Sequence, residues 1–126
     1  MAVQKSILKN TRQEYVVHLF GSAAADTTSI ALTELVRSDE TTSGTLLVNI
    51  SSFIYCCSGS GTIALTRGAS SIAVLAGGTD TVDYSGIGMG IGSHTAITVV
   101  FNTPGWIILN LHKKDGYVEP LSNKGV

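Results

Sequence analysis

Alternation is the feature that most constrains this chain. Apolar side chains recur at every second position along most of it, and almost nowhere at the three-and-four spacing of an amphipathic helix. Residues 14–21 set Tyr15, Val17 and Leu19 against Val16, His18 and Phe20. Residues 106–112 set Ile107, Leu109 and Leu111 against Trp106 and Ile108. A strand sends successive side chains to opposite faces, so this period is the imprint of a sheet. Both sets in 14–21 are largely apolar, which predicts burial on both faces. Composition supports the period: 36 of 126 residues are Val, Ile or Thr, whose branching at Cβ suits a pleated surface better than a helix.

The rest of the chain divides at turn chemistry. Residues 28–36 read as a strand, with a helix over 29–36 as the weaker alternative, and 38–44 as a polar turn. Residues 45–57 are long for one strand. Leu46, Val48 and Ile50 hold one parity and Phe53 and Tyr55 the other, so a β-bulge is predicted near Ser51 and Ser52. Ser58-Gly59-Ser60-Gly61 reads as a hairpin turn, and Arg67-Gly68-Ala69-Ser70 as another, between strands 62–67 and 71–76. Gly77-Gly78 then turns the chain into 79–84. Strands 95–101 and 106–112 flank a turn at Pro104-Gly105, and a last turn over 113–116 leads to an extended 117–121. Roughly seven to nine short strands with regular turns predict an all-β protein, an antiparallel β-sandwich of jelly-roll-like type. The expected organisation is a single domain over 14–121, preceded by an arm or edge strand at 1–13 and followed by a tail at 122–126.

Charge and motifs narrow the function classes. Eight Lys and Arg balance nine Asp and Glu, only 13% of residues are charged and 44% are hydrophobic. This excludes a disordered chain and a nucleic-acid binder built on a basic face. No apolar stretch follows the basic residues at the start, and no apolar run approaches about 18 residues, so neither a signal peptide nor a membrane span is expected. Adjacent Cys56 and Cys57 point to opposite faces of a strand, which suits neither a disulfide nor a shared metal. His18, His94 and His112 have no neighbour at metal-ligand spacing, and Asp80 and Asp83 lack the further oxygen ligands of a calcium loop. There is no Gly-x-Ser-x-Gly elbow. No catalysis, cofactor or metal is therefore expected.

Two segments offer contacts to a partner. Lys5, Lys9 and Arg12 give the first thirteen residues a basic character with no acid; they suit either an arm laid on an acidic surface or an edge strand guarded by its lysines. Gly86, Gly88, Gly90 and Gly92 alternate with Ile87, Met89 and Ile91. No helix pattern follows, which argues against a phosphate loop. Extended, the run presents one bare face and one apolar face able to reach a core or a neighbouring subunit; a flexible loop is the alternative.

Three stretches carry a resemblance. Lys5-Ser6-Ile7-Leu8-Lys9-Asn10-Thr11-Arg12-Gln13-Glu14 leads into Val16-Val17-His18-Leu19; Val48-Asn49-Ile50 precedes Gly61-Thr62-Ile63-Ala64-Leu65-Thr66-Arg67; and Leu109-Asn110-Leu111-His112-Lys113-Lys114-Asp115-Gly116-Tyr117 closes the series. Their order over residues 5–117 resembles small β-rich virion structural proteins of tailed bacteriophages, marine or cyanobacterial in type. The resemblance implies a capsid decoration or cement protein that binds the major capsid protein. A neck or tail accessory protein is the near alternative. It also implies residence in the virion after synthesis in a host cytoplasm, homo-oligomers, and no nucleic-acid or membrane partner. Lys5, Lys9, Arg12, Ile87, Met89 and Ile91 are the candidate contacts. A lectin-like carbohydrate-binding module, using Trp106 and the tyrosines Tyr15, Tyr55, Tyr84 and Tyr117, is the alternative of a different class.

Overall fold

A computed structural model describes residues 3–11, 13–22, 26–37, 40–68, 70–83 and 94–118, with backbone alone at 58–60. They form seven strands: β1 (Gln4–Asn10), β2 (Glu14–Gly21), β3 (Asp26–Ile30), β4 (Thr41–Arg67), β5 (Ser70–Asp83), β6 (Ile97–Phe101) and β7 (Gly105–Val118). A 3-10 turn spans Leu32–Leu35. Every pairing is antiparallel. The order is β1-β2-β7-β4-β6-β3, with β5 on β4.

The register explains how one core arises from so few strands. β4 pairs with β7 from Thr41 to Cys57 and then with β6 from Ile63 to Arg67. β2 lies along β7 and β3 along β6. The sheet therefore has two halves that share the β4–β5 hairpin and change over at residues 102–104, between β6 and β7. There Asn102 donates its backbone N–H to the Thr62 carbonyl at 2.9 Å and its side-chain amide to the Thr62 hydroxyl at 3.1 Å. Glycine permits the close approach. A Cβ on Gly61 would run into the Thr103 side chain, and one on Gly105 would lie 2.5 Å from the Cys56 carbonyl oxygen.

Both halves feed one apolar cluster. Tyr15, Val17 and Leu19 of β2 and Ile107, Leu109 and Leu111 of β7 join Val48, Ile50 and Phe53 from the first part of β4. Ile63 and Leu65 from its second part, Ile97, Val99 and Phe101 of β6, Ile30, Leu32 and Leu35 complete it. The bulge expected near Ser51 is present: Ile50 faces Leu111 while Ser52 faces Asn110, so Ser51 is the extra residue. It returns Phe53 to the core side on which Ile50 already lies.

Several local expectations are corrected. β2 is buried on one face only: Tyr15, Val17 and Leu19 are inside, Val16 and His18 are part-exposed, and Phe20 is exposed. The strand read over 28–36 stops at Ile30. The Glu34 carboxylate accepts the Ala31 N–H at 3.0 Å and curls the chain, and Leu32 and Leu35 drop into the core. Residues 41–44 lie in β4 rather than in a turn. The hairpin turn at 58–61 and the turn at 77–78 are not reversals. β4 and β5 run through them, with Cys57 facing Gly78 and Thr62 facing Ala76. The turn residues of both strands fall opposite one another, and together they form an irregularity in a single long hairpin, with Gly78 at φ +112°. β7 likewise continues through 113–116 to pair Val118 with Thr41, using Gly116 at φ +89°. The strands are thus longer than short-strand spacing suggests: β4 has 27 residues and β5 and β7 have 14 each.

Candidate functional site

β1 is an edge strand on β2, and its lysines are answered within the chain. Lys5 Nζ lies 3.0 Å from a Glu34 oxygen, and Lys9 Nζ lies 2.8 Å from a Glu14 oxygen. That hydrogen bond and the lysine charge hold the Glu14 carboxyl below its usual pKa. Arg12, Ile87, Met89 and Ile91 lie outside the described residues, as do Tyr84 and the glycines of the run. Cys56 and Cys57 are free thiols; Cys57 is buried, which raises its pKa, with its sulfur donating to the Leu75 carbonyl at 3.6 Å. Asp80 faces Tyr55 and Asp83 faces Ser52, so the two acids do not converge. Among the described residues no three His, Cys, Asp or Glu side chains are grouped to hold a metal, and no helix is long and apolar enough to cross a membrane.

The structure instead assembles two polar and apolar groupings that sequence spacing does not show. The first is inside. Lys113 and Glu40, both with fully buried side chains, pair at 3.1 Å. Lys113 also donates to the Asn10 amide oxygen at 2.6 Å and sits 5.2 Å from the centre of the Tyr117 ring. The Tyr117 hydroxyl donates to the Leu32 carbonyl at 2.6 Å. The Arg67 guanidinium donates to the Val48 and Thr95 carbonyls at 2.6 and 2.8 Å. Tyr15 donates to Glu34 at 3.3 Å. Burial, then the Glu34 charge, pushes the Tyr15 pKa up to about 12, and burial lifts that of Tyr117 and lowers that of Arg67. These bonds tie the 3-10 turn and the stretch after it to β1, β2 and β7, and fasten the end of β4 to its own first half and to the approach to β6. Their partners are within the chain, so the grouping acts as a clamp on the fold.

The second grouping lies on the outer face of β2, β7 and β4. By register Trp106 stands between Phe20 and Cys56, and Ile108 between His18 and Ile54. Val16 lies beside Asn110, which faces Ser52. Trp106 and His18 meet at 6.0 Å between ring centres, tilted by 40°. Phe20 is 37% and Ile54 40% exposed. Glu14, His112 and Asn49 continue the same face across the bulge. Two oxygens there, Asn49 Oδ1 and Asn110 Oδ1, are buried and accept no hydrogen bond. In the sequence Trp106 stands out for its ring alone, and the asparagines carry no signal because a polar residue on the outer parity of a strand is unremarkable until its surroundings are known.

No family model matches the chain, and no curated protein matches it. Solved structures do. An RmlC-like cupin protein from Desulfovibrio desulfuricans is 5% identical, covering 88% of this chain and 82% of its own, with a TM-score of 0.45. KdgF from Halomonas sp. is 12% identical over 89% of this chain and 81% of its own, with a TM-score of 0.42. A Klebsiella pneumoniae protein with a double-stranded β-helix domain is 10% identical over 94% of this chain and 84% of its own, with a TM-score of 0.43.

These findings correct the functional expectations. The structures that resemble this chain are cupin and double-stranded β-helix proteins, and those named are not virion components. The phage resemblance is overturned. With it go the capsid decoration and neck or tail roles, the capsid partners and the residence in a virion. The lectin alternative finds no support among them either. The exclusion of catalysis rested on missing motifs, and the comparisons give it no backing.

Proposed function

We propose that this chain is a small-molecule-binding β-domain, a jelly-roll-like sandwich over residues 14–121 with β1 as its edge strand. Its site is the outer face around Trp106. The observation that carries this reading is the cross-strand block of Phe20, Trp106, His18, Ile108 and Ile54, left part-exposed on a sheet whose other face is already filled. Size decides the kind of partner. Three strands about 4.8 Å apart and two rows about 7 Å apart span on the order of 200 Å². A stable protein interface needs about 800 Å² on each side. The block matches one ring system or short hydrocarbon and is too small for a protein. The reading is one of binding, and no catalytic step is assigned.

Trp106 is the only tryptophan, so its emission reports the site directly. Titration with N-phenyl-1-naphthylamine, a neutral aromatic probe, should give saturable energy transfer from Trp106. Ile54→Ser, a change at an exposed side chain, should weaken binding about tenfold, as loss of one apolar contact predicts. A response that does not saturate, or that Ile54→Ser leaves unchanged, would remove the site from this face.

A further inference from the structure

Resting on that reading, we infer that the ligand is amphipathic and carries a hydrogen-bond-donating head, a hydroxyl or an amine, received by Asn49 and Asn110. The apolar block ends along the strands where the polar groups begin. One step beyond Ile108 on the outer face of β7 stands Asn110, with Ser52 opposite on β4 and Val16 opposite on β2. The next step places His112 between Glu14 and Asn49. Ser51, the extra residue of the bulge, sits between the β4 residues that face this pair of rows.

The unsatisfied groups at this end are acceptors. Asn49 Oδ1 and Asn110 Oδ1 are both buried and both lack a donor. A buried acceptor without a donor is unfavourable, and native proteins fill such positions with protein, water or ligand. Two of them on paired strands, beside an apolar block that ends there, define a molecule with a hydrocarbon body and a donating head. The Glu14 carboxylate adds a third acceptor, already bonded to Lys9 at 2.8 Å and to the Asn110 side chain. An ionised carboxylate or phosphate head brings no donor to these two oxygens.

The experiment uses three ligands of nearly one shape on the full chain, followed by Trp106 emission: ethylbenzene, 2-phenylethanol and 2-phenylethylamine. The alcohol and the amine should bind about tenfold or more tightly than the hydrocarbon, because a site built around polar groups penalises the analogue that leaves them unpaired. Asn110→Leu, and independently Asn49→Leu, should erase that advantage while leaving ethylbenzene binding within about twofold. Circular dichroism of both variants checks that the sheet is intact. A tighter amine than alcohol assigns the third contact to a flanking carboxylate, Glu14 or the Asp83 that faces Ser52, and equal affinities leave the head on the two amides. If all three ligands bind equally, or the variants keep the preference, the donor head is overturned while the Trp106 face stands. If none binds, the face itself is overturned and the head with it.

Discussion

Tyr15 shows how much a single residue's role depends on where the chain puts it. In the sequence it is one apolar position in an alternating strand. In the fold its ring is fully buried and its hydroxyl donates to Glu34, which also holds Lys5 and the Ala31 N–H. Burial and the neighbouring carboxylate raise its pKa from 10.0 to about 12. The protonated hydroxyl is the form the fold favours, so its contribution is complete below the unfolded value near 10. It is lost as pH rises through about 12, because the unfolded chain gives up the proton first. Tyr117 is shifted in the same direction. The melting temperature should therefore hold to about pH 10 and fall steeply above it. Tyr15→Phe should flatten that fall, and phenolate absorbance should show two of the four tyrosines ionising late. A variant with the same alkaline slope as the parent would show that Tyr15 does not carry the effect. No spacing rule marks this hydroxyl, since Glu34 is 19 residues away and reaches it only because the chain curls at the 3-10 turn.

At the scale of elements, the sheet is held by long strands with irregularities, and by a charged clamp where the chain enters β4. Glu40 lies just before that strand and Lys113 inside β7, in segments whose composition reads as turn. Removing one member of a buried pair strands the other charge, whereas replacing both with apolar groups of similar volume often costs little. Glu40→Gln should destabilise the protein by about 3 kcal/mol, and Glu40→Leu with Lys113→Leu by markedly less than either single leucine variant. Urea denaturation of the four proteins closes the cycle, and strictly additive effects would show the pair to be uncoupled. The bulge at Ser51 was legible because a parity change in an apolar pattern has one structural meaning. The passage through 58–61 and 77–78 was not. Ser and Gly serve a reversal and a bulge equally well, and only the pairing of Cys57 with Gly78 separates the two.

For the whole molecule, the consequence of this topology is distance along the chain. Asn10 bonds Lys113 across 103 residues, Tyr117 bonds Leu32 across 85, and β2 pairs with β7. Such contacts form only after long loops have closed, so folding should take from about milliseconds to seconds rather than microseconds. Stopped-flow refolding followed by Trp106 emission measures this, and a microsecond phase carrying the full amplitude would contradict it. The same topology creates the candidate site. Residues 16–20, 49–56 and 106–110 are unremarkable strand segments in the sequence, and they become one face only when β7 settles between β2 and β4.

The sequence by itself determined the class of structure: period-two alternation and β-branched residues leave a sheet as the way to bury the apolar set, and low charge with no ligand spacing leaves no motif-built centre in view. It also determined which side chains share a face along β2, β6 and β7, because parity alone sets that; that only one face of β2 is buried came from the structure. Tertiary structure decided the rest. Whether glycine and serine reverse the chain or bend it, whether Lys5 and Lys9 face a partner or Glu34 and Glu14, and which outer side chains share a surface are all questions of register between distant strands. Register is set by the packing of the whole core at once, and a local window of sequence contains no term for it.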